Sequence, residues 1–299
     1  MATRRVGKSA VLVTGMPRSG TTWLARLLAA GESMALTGRE PMNPRGRQYG
    51  LAGTLSTWAR LEAPTMKQQR ALKSSYAGLN PLTYSKYGVR QWAAPLPGVT
   101  VVVKDPFAML SLPTIHALTK AQTVLLYRHP GAALTSYRRM GWQPDVAELR
   151  PIVDSFLAST GPVLGVRPFE SADTTDEVAA MAWFWNSLYG IALHDASQLP
   201  NCVILAHEDV AMGGTEFCRD LFDVLDLSWS DEVAHQLNNQ GSAGTHMEAT
   251  ALHNFDRAPS QVAQQWRSKL SSDESARIEA ETEEVLRALA SRSFPQSPK

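Results

Sequence analysis

Four short blocks of almost unbroken apolar residues punctuate the chain: Ala10–Thr14, Val99–Val103 (VTVVV), Thr123–Tyr127 (TVLLY) and Cys202–Ala206 (CVILA). Continuous rather than alternating apolar runs of this length fit strands covered on both faces. Segments with helical spacing lie between them. Thr21–Ala30 is closed by Gly31, Pro130–Met140 starts on a proline suited to a first helical turn, and Thr215–Leu225 follows the last strand. Near the C-terminus, residues 261–290 read as mostly helical, with Ile278, Val285 and Leu289 on one face of SDESARIEAETEEVLRALA. Strands interleaved with helices predict an α/β fold, a central, mainly parallel sheet flanked by helices. The pattern predicts one domain over residues 1–299.

Two stretches break this rhythm. Residues 46–98 carry helical patches at Thr54–Leu61 and Met66–Ser75 among scattered Gly, Pro and Tyr, and residues 141–175 are rich in Pro, Ser, Thr and Asp. Both are expected to leave the sheet and wall or cover a site, as long loops in compact domains often do.

Composition narrows the partners. The chain has 299 residues, 44% of them hydrophobic, and 29 Lys and Arg against 28 Asp and Glu. With a net charge of +1 there is no chain-wide basic excess to hold nucleic acid, so any anion site must be local. Cys202 and Cys218 lack CxxC spacing and read as buried thiols, not zinc ligands, which suits a reducing compartment. The basic start MATRRVGKSA is followed only by VLV, too short for a secretory signal, and no run reaches the ~18 apolar residues of a membrane span. The expectation is a cytoplasmic protein that does not span a membrane.

The chemistry begins at VLVTGMPRSGTTWLARLL, Val11 to Leu28, where a strand runs into a glycine turn and then a helix. Gly15 to Thr22 has the GxxxxG frame of a phosphate-binding loop, which makes the expected sheet a P-loop type. In a nucleoside-triphosphate loop the next residue is lysine. Here Thr21 stands there, and the cation is Arg18, inside the loop. Backbone amides and a helix N-terminus still make a nest for an anion. The device for β- and γ-phosphates is missing, so a compact anion bound without a metal is expected.

The string PRSGTTWL resembles the 5′-phosphosulfate loop of the PAPS-dependent sulfotransferases, PAPS being 3′-phosphoadenosine 5′-phosphosulfate. A second match supports it. That family reads the 3′-phosphate with a strand-end arginine and a serine eight residues later, and here TVLLY runs into Arg128, with Ser136 eight residues on. The resemblance implies that Arg18, Ser19, Gly20, Thr21 and Thr22 bind the phosphosulfate and that Trp23 stacks on the adenine. LAHEDV is similar to a segment whose tyrosine touches adenine in relatives, so it implies a nucleotide contact for His207. In NFDRAP it implies one for Arg257, although the Arg-Lys-Gly triplet of the eukaryotic cytosolic branch is absent. The resemblance does not extend to residues 46–98 or 141–175.

The implied reaction is in-line transfer of a sulfuryl group from PAPS to an acceptor hydroxyl, releasing 3′,5′-ADP. Arg18 and Lys104, at the end of TVVVK, would offset charge on the leaving oxygen. Glu40, in GREP, matches the glutamate base of bacterial, carbohydrate and tyrosylprotein sulfotransferases; to hold a proton at neutral pH it needs a low-polarity setting, and the alternative is a simple ion pair with the adjacent Arg39. The histidine base of the cytosolic branch is excluded because its position is Pro106; Asp105 is the alternative base. Aromatic residues in the two excursions (Trp58, Tyr76, Tyr84, Tyr87 and Trp92 in one, Trp142 and Phe169 in the other) suit a sugar, glycolipid or natural-product acceptor. The oligomeric state stays open. A P-loop small-molecule kinase and a non-catalytic nucleotide binder are the rival readings.

Overall fold

The computed structural model describes residues 9–45, 51, 53–169, 176–239 and 265–295. In chain order the elements are β1 (Val11–Thr14), α1 (Thr21–Ala29), β2 (Met34–Gly38), α2 (Met66–Tyr76), β3 (Tyr84–Val89), β4 (Thr100–Lys104), α3 (Leu112–Thr119), β5 (Gln122–Tyr127), α4 (Pro130–Met140), α5 (Val146–Thr160), α6 (Glu177–Ala196), β6 (Cys202–Ala206), α7 (His207–Met212), α8 (Gly214–Val224), α9 (Asp231–Asn239) and α10 (Ser272–Ala290). The six strands form one sheet in the order β3-β2-β4-β1-β5-β6, parallel except for β3.

Strand β1 is central. Val11 faces Val102 of β4 on one side and Gln122 of β5 on the other. After β1 the chain moves outward to β2; after β4 it crosses β1 to reach β5. This reversal creates a crevice at the carboxyl ends of β1, β4 and β5, where α/β sheets bind ligands. Val11, Leu12 and Val13 are fully buried, because helices cover both faces of the sheet.

The strands and helices predicted around the phosphate loop form within a residue or two of the expected limits. Two expectations for the first excursion are corrected. Residues 84–89 do not leave the sheet but return to it as β3, antiparallel to β2. Thr54–Leu61 is not helical. Its backbone donors go to tertiary partners: Trp58 N–H to Glu148 Oε2 at 3.2 Å and Leu61 N–H to Ser111 Oγ at 2.8 Å. Cys218 is buried as expected, whereas Cys202 is only partly so.

Helix α6 has no counterpart in the expected pattern. Almost every residue from Val178 to Ala196 is buried, which is why AAMAWFWNSLYGIAL shows no apolar stripe. Two of its side chains, one turn apart, reach the carboxyl edge of the sheet. Trp185 Nε1 donates to Arg128 O at 3.0 Å. Tyr189 Oη donates to Leu126 O at 3.0 Å and accepts from Met16 N–H at 3.2 Å. Tyr189→Phe leaves that buried amide unsatisfied. It is expected to lower stability by about 1–3 kcal/mol in urea unfolding; an unchanged midpoint would show that the bridge does not support the loop.

Candidate functional site

The loop from Gly15 to Gly20 rests on three unusual backbone positions: Gly15 at φ 145°, Arg18 at φ 73° and Gly20 at φ 98°. A Cβ on Gly15 would lie 2.0 Å from Leu126 O, so only glycine lets the loop leave β1 this close to β5. A Cβ on Gly20 would lie 2.5 Å from His207 Nδ1. Gly20 is the cap of α1, whose first residues Thr21 and Thr22 present their amides toward the loop. Ser19 and Thr21 are buried beneath it; Thr22 and Trp23 are partly exposed. Trp23 packs its ring against the core under α1, with Nε1 buried and lacking a partner among the described residues.

The two predicted phosphate-binding elements meet. Arg18 Nε donates to Ser136 Oγ at 3.3 Å, and Arg128 Nη1 donates to Arg18 O at 3.1 Å. Ser136 sits on α4, which Pro130 and the capping His129 start directly after β5; His129 Nδ1 accepts from Gly131 N–H at 3.2 Å. Burial, then the charge of Arg139, lowers the pKa of Arg18. Arg128 is only 9% exposed. Its pKa is lowered to about 10, chiefly by burial, with Arg18 and Arg139 adding to the shift and Glu208 opposing it. Two largely buried guanidinium groups, each further disfavoured in its charged form by a neighbouring cation, mark a place where an anion would be favoured. The sequence reading missed Arg139; it lies three residues after Ser136, on the next turn of the same helix.

On the other side of β1 a second pair forms. Lys104 Nζ bonds Glu40 Oε1, and Asn43 Nδ2 donates to Glu40 Oε2. Lys104 is in register with Val13, at the foot of the phosphate loop, and β2 delivers Glu40 from beyond β4. The side chains of Lys104 and Glu40 are 13% and 15% exposed. Of the two settings open to Glu40, the structure shows the ion pair, largely buried and made with Lys104. Arg39 does not take its place as Glu40's partner: its Nη1 donates to Leu82 O at 3.0 Å.

Asp105, the alternative base, is buried and structural. Its carboxylate accepts from Met42 N–H and from Phe107 N–H, holding the segment after Glu40 against the end of β4. Burial, and next the charge of Glu40, push its pKa up to about 8. The aromatic residues of the excursions divide. Trp58, Tyr76 and Phe169 are buried, with Trp58 against Phe107 at 4.5 Å, whereas Tyr87 and Trp92 face solvent. Trp142 stands 5.9 Å from the Arg18 guanidinium carbon. Arg257 lies outside the described residues.

His207 opens α7 under Gly20. It is 6% exposed, and neither ring nitrogen has a partner among the described residues. Burial, then the charge of Arg128, lowers its pKa to about 3, against 6.5 for a free ring. Stability from a neutral buried histidine is complete above about pH 6.5 and is lost as pH falls toward 3. His207→Gln is therefore expected to flatten the fall in unfolding free energy between about pH 6.5 and 4. Parallel pH profiles would show that His207 does not drive acid sensitivity.

The sequence model of the Sulfotransferase family matches residues 10–231, a span that includes the loop, Glu40, Lys104, Arg128, Ser136 and His207 but not Arg257. No curated protein sequence matches the chain significantly. Among solved structures, the chain is similar to the sulfotransferase domain from the curacin biosynthetic pathway, with 15% identity, a TM-score of 0.50, and 93% of this chain and 98% of that one covered. The sulfotransferase domain from the Synechococcus PCC 7002 olefin synthase gives 16% identity, a TM-score of 0.47 and 94% of each chain. Mouse sulfotransferase SULT7A1, complexed with PAP, gives 11%, a TM-score of 0.46, and 94% and 84% of the two chains. At 15% identity the first of these likenesses speaks for the fold alone; the match of the family model over most of the length establishes that this chain belongs to the sulfotransferase family.

Proposed function

We propose that this protein transfers a sulfuryl group from PAPS to an acceptor hydroxyl, with Glu40 as general base. The observation that carries the reading is the bond between Arg18 and Ser136, which joins the phosphate loop to the strand-end pair Arg128–Ser136 and makes one cationic cradle. A donor with anionic groups at both its 5′ and 3′ positions matches two such elements. The loop amides of Ser19, Gly20, Thr21 and Thr22 and the Arg18 guanidinium bind the phosphosulfate. Arg128 and Ser136 bind the 3′-phosphate. The partnerless nitrogens of Trp23 and His207 support contacts with the nucleotide, and Arg257 is assigned to close over the 3′-phosphate.

In the reaction, the acceptor oxygen forms a bond to sulfur, the bond from sulfur to the 5′-phosphate oxygen breaks, and the phosphate leaves with that electron pair as 3′,5′-ADP. Glu40 takes the acceptor proton. Lys104, on the strand beside the loop, and Arg18 offset the charge that grows on the leaving oxygen. Thr21 at the usual lysine position supports metal-independent binding of the donor. Asn43 and Lys104 hold Glu40 in one orientation, which general-base catalysis requires. The acceptor is a carbohydrate, glycolipid or secondary-metabolite hydroxyl, bound between the segment after Glu40 and the turn at Trp142.

Calorimetric titration should give tight binding of 3′,5′-ADP without a divalent cation and weaker binding of ATP with magnesium; the reverse order would favour kinase chemistry. With an acceptor in hand, Glu40→Gln should lower kcat at least about 100-fold while leaving 3′,5′-ADP affinity unchanged. Retained turnover would remove Glu40 from the role of base.

A further inference from the structure

The chain is nearly neutral overall, yet its charge is unevenly distributed. From Ala63 to Lys104 there is no Asp or Glu, while Lys67, Arg70, Lys73, Lys86, Arg90 and Lys104 fall in the same span. Two of these cations serve the fold. Arg90 Nη2 donates to Gly31 O at 2.7 Å, at the end of α1, and Lys104 pairs with Glu40. The other four, Lys67, Arg70, Lys73 and Lys86, are exposed, and none is in an ion pair among the described residues. Glu62, just before the span, is bonded to Arg60.

The same span holds much of the exposed apolar surface. Trp92 is 76% exposed, Leu79 64%, Leu96 57% and Leu82 52%, with Tyr87 also open to solvent. These residues are contiguous with the last turn of α2. Tyr84 Oη donates to Gly78 O at 2.6 Å, Trp92 packs edge-on to Tyr84 at 5.1 Å, and Gly78 lies directly against Ala94. Helix α2 buries Gln68, Leu72, Ser75 and Tyr76, so its opposite face carries Lys67, Arg70 and Lys73 outward beside that surface.

We infer that this face docks on an anionic lipid bilayer. Exposed tryptophan, tyrosine and leucine side chains next to a helix that carries lysine and arginine outside any described ion pair form the pattern that seats a protein at a headgroup layer. Each cation near an anionic leaflet adds roughly a fivefold preference. A symmetric pairing of two copies through the same face would oppose cations to cations and leave them without counter-charge. Among the described residues no helix is long and apolar enough to cross a membrane, so the contact is peripheral. The face also adjoins the site: Arg39, next to Glu40, bonds Leu82 O through Nη1 and Thr83 O through its backbone amide. An acceptor displayed at a lipid surface meets Glu40 from this side, a consequence that rests on the proposed chemistry; the docking itself does not.

The test is co-sedimentation of the full chain with phosphatidylcholine vesicles, with and without phosphatidylserine. Binding is expected only with phosphatidylserine and should weaken in high salt. The triple variant Lys67→Ala, Arg70→Ala, Lys73→Ala should lose roughly 100-fold in affinity. Trp92→Ala with Leu96→Ala should also detach the protein, and both variants should melt and bind 3′,5′-ADP like the parent. No binding, or equal binding to both vesicle types, overturns the inference while leaving the donor reading intact. A dimer in sedimentation velocity that the Trp92/Leu96 variant abolishes, without vesicle binding, assigns the face to self-association instead.

Discussion

Much of the site depends on one buried hydroxyl. Tyr189 joins the amide of Met16, the second residue of the phosphate loop, to the carbonyl of Leu126, near the end of the neighbouring strand. Gly15 allows the same close approach from below, since any side chain there would collide with that carbonyl. Together they hold the loop at the junction of β1 and β5, and Trp185 on the same helix holds the backbone of Arg128. A long apolar helix, buried almost all round, thus sets the spacing between the glycine-rich loop and the strand end at Arg128. Its chemistry is ordinary, but it acts in a dry interior where an unmade hydrogen bond is costly.

Around that support the charges are segregated. On the β5 side, Arg18, Arg128 and Arg139 act on one another's neighbourhood: the charge of Arg139 disfavours the charged forms of Arg18 and Arg128, and Glu208 opposes this at Arg128. On the β4 side, one lysine and one glutamate face each other beside the loop. The first arrangement favours an incoming anion, because such a ligand relieves both burial and mutual repulsion. The second keeps an acid–base pair oriented. Asp105, buried between them and the core, ties the segment after Glu40 to β4 through backbone amides.

The outer surface follows a similar logic on a larger scale. A near-zero net charge conceals a span of about forty residues without a single acid, and the same span is the one that exposes Trp92. Neutral bulk composition and a strongly polarised face are compatible, since only the local field acts within a Debye length of a surface.

The sequence by itself determined the strand, glycine turn and helix of the loop, the replacement of lysine by Thr21 and Arg18, and the eight-residue step from Arg128 to Ser136. These are local patterns, governed by backbone sterics and short-range spacing, and so they can be read without a fold. The apolar runs of β1, β4, β5 and β6 were legible for the same reason. Tertiary structure alone decided the rest. Helix α6 and β2 carry no distinctive period, because a helix buried on every side has no polar face and a short buried strand has no alternation. Thr54–Leu61 was drawn out of its helical pattern by distant acceptors, and Tyr84–Val89 was drawn back to the sheet edge. The pairing of Glu40 with Lys104 instead of Arg39 arose because parallel strand order, not sequence distance, sets which side chains meet at a sheet's carboxyl edge.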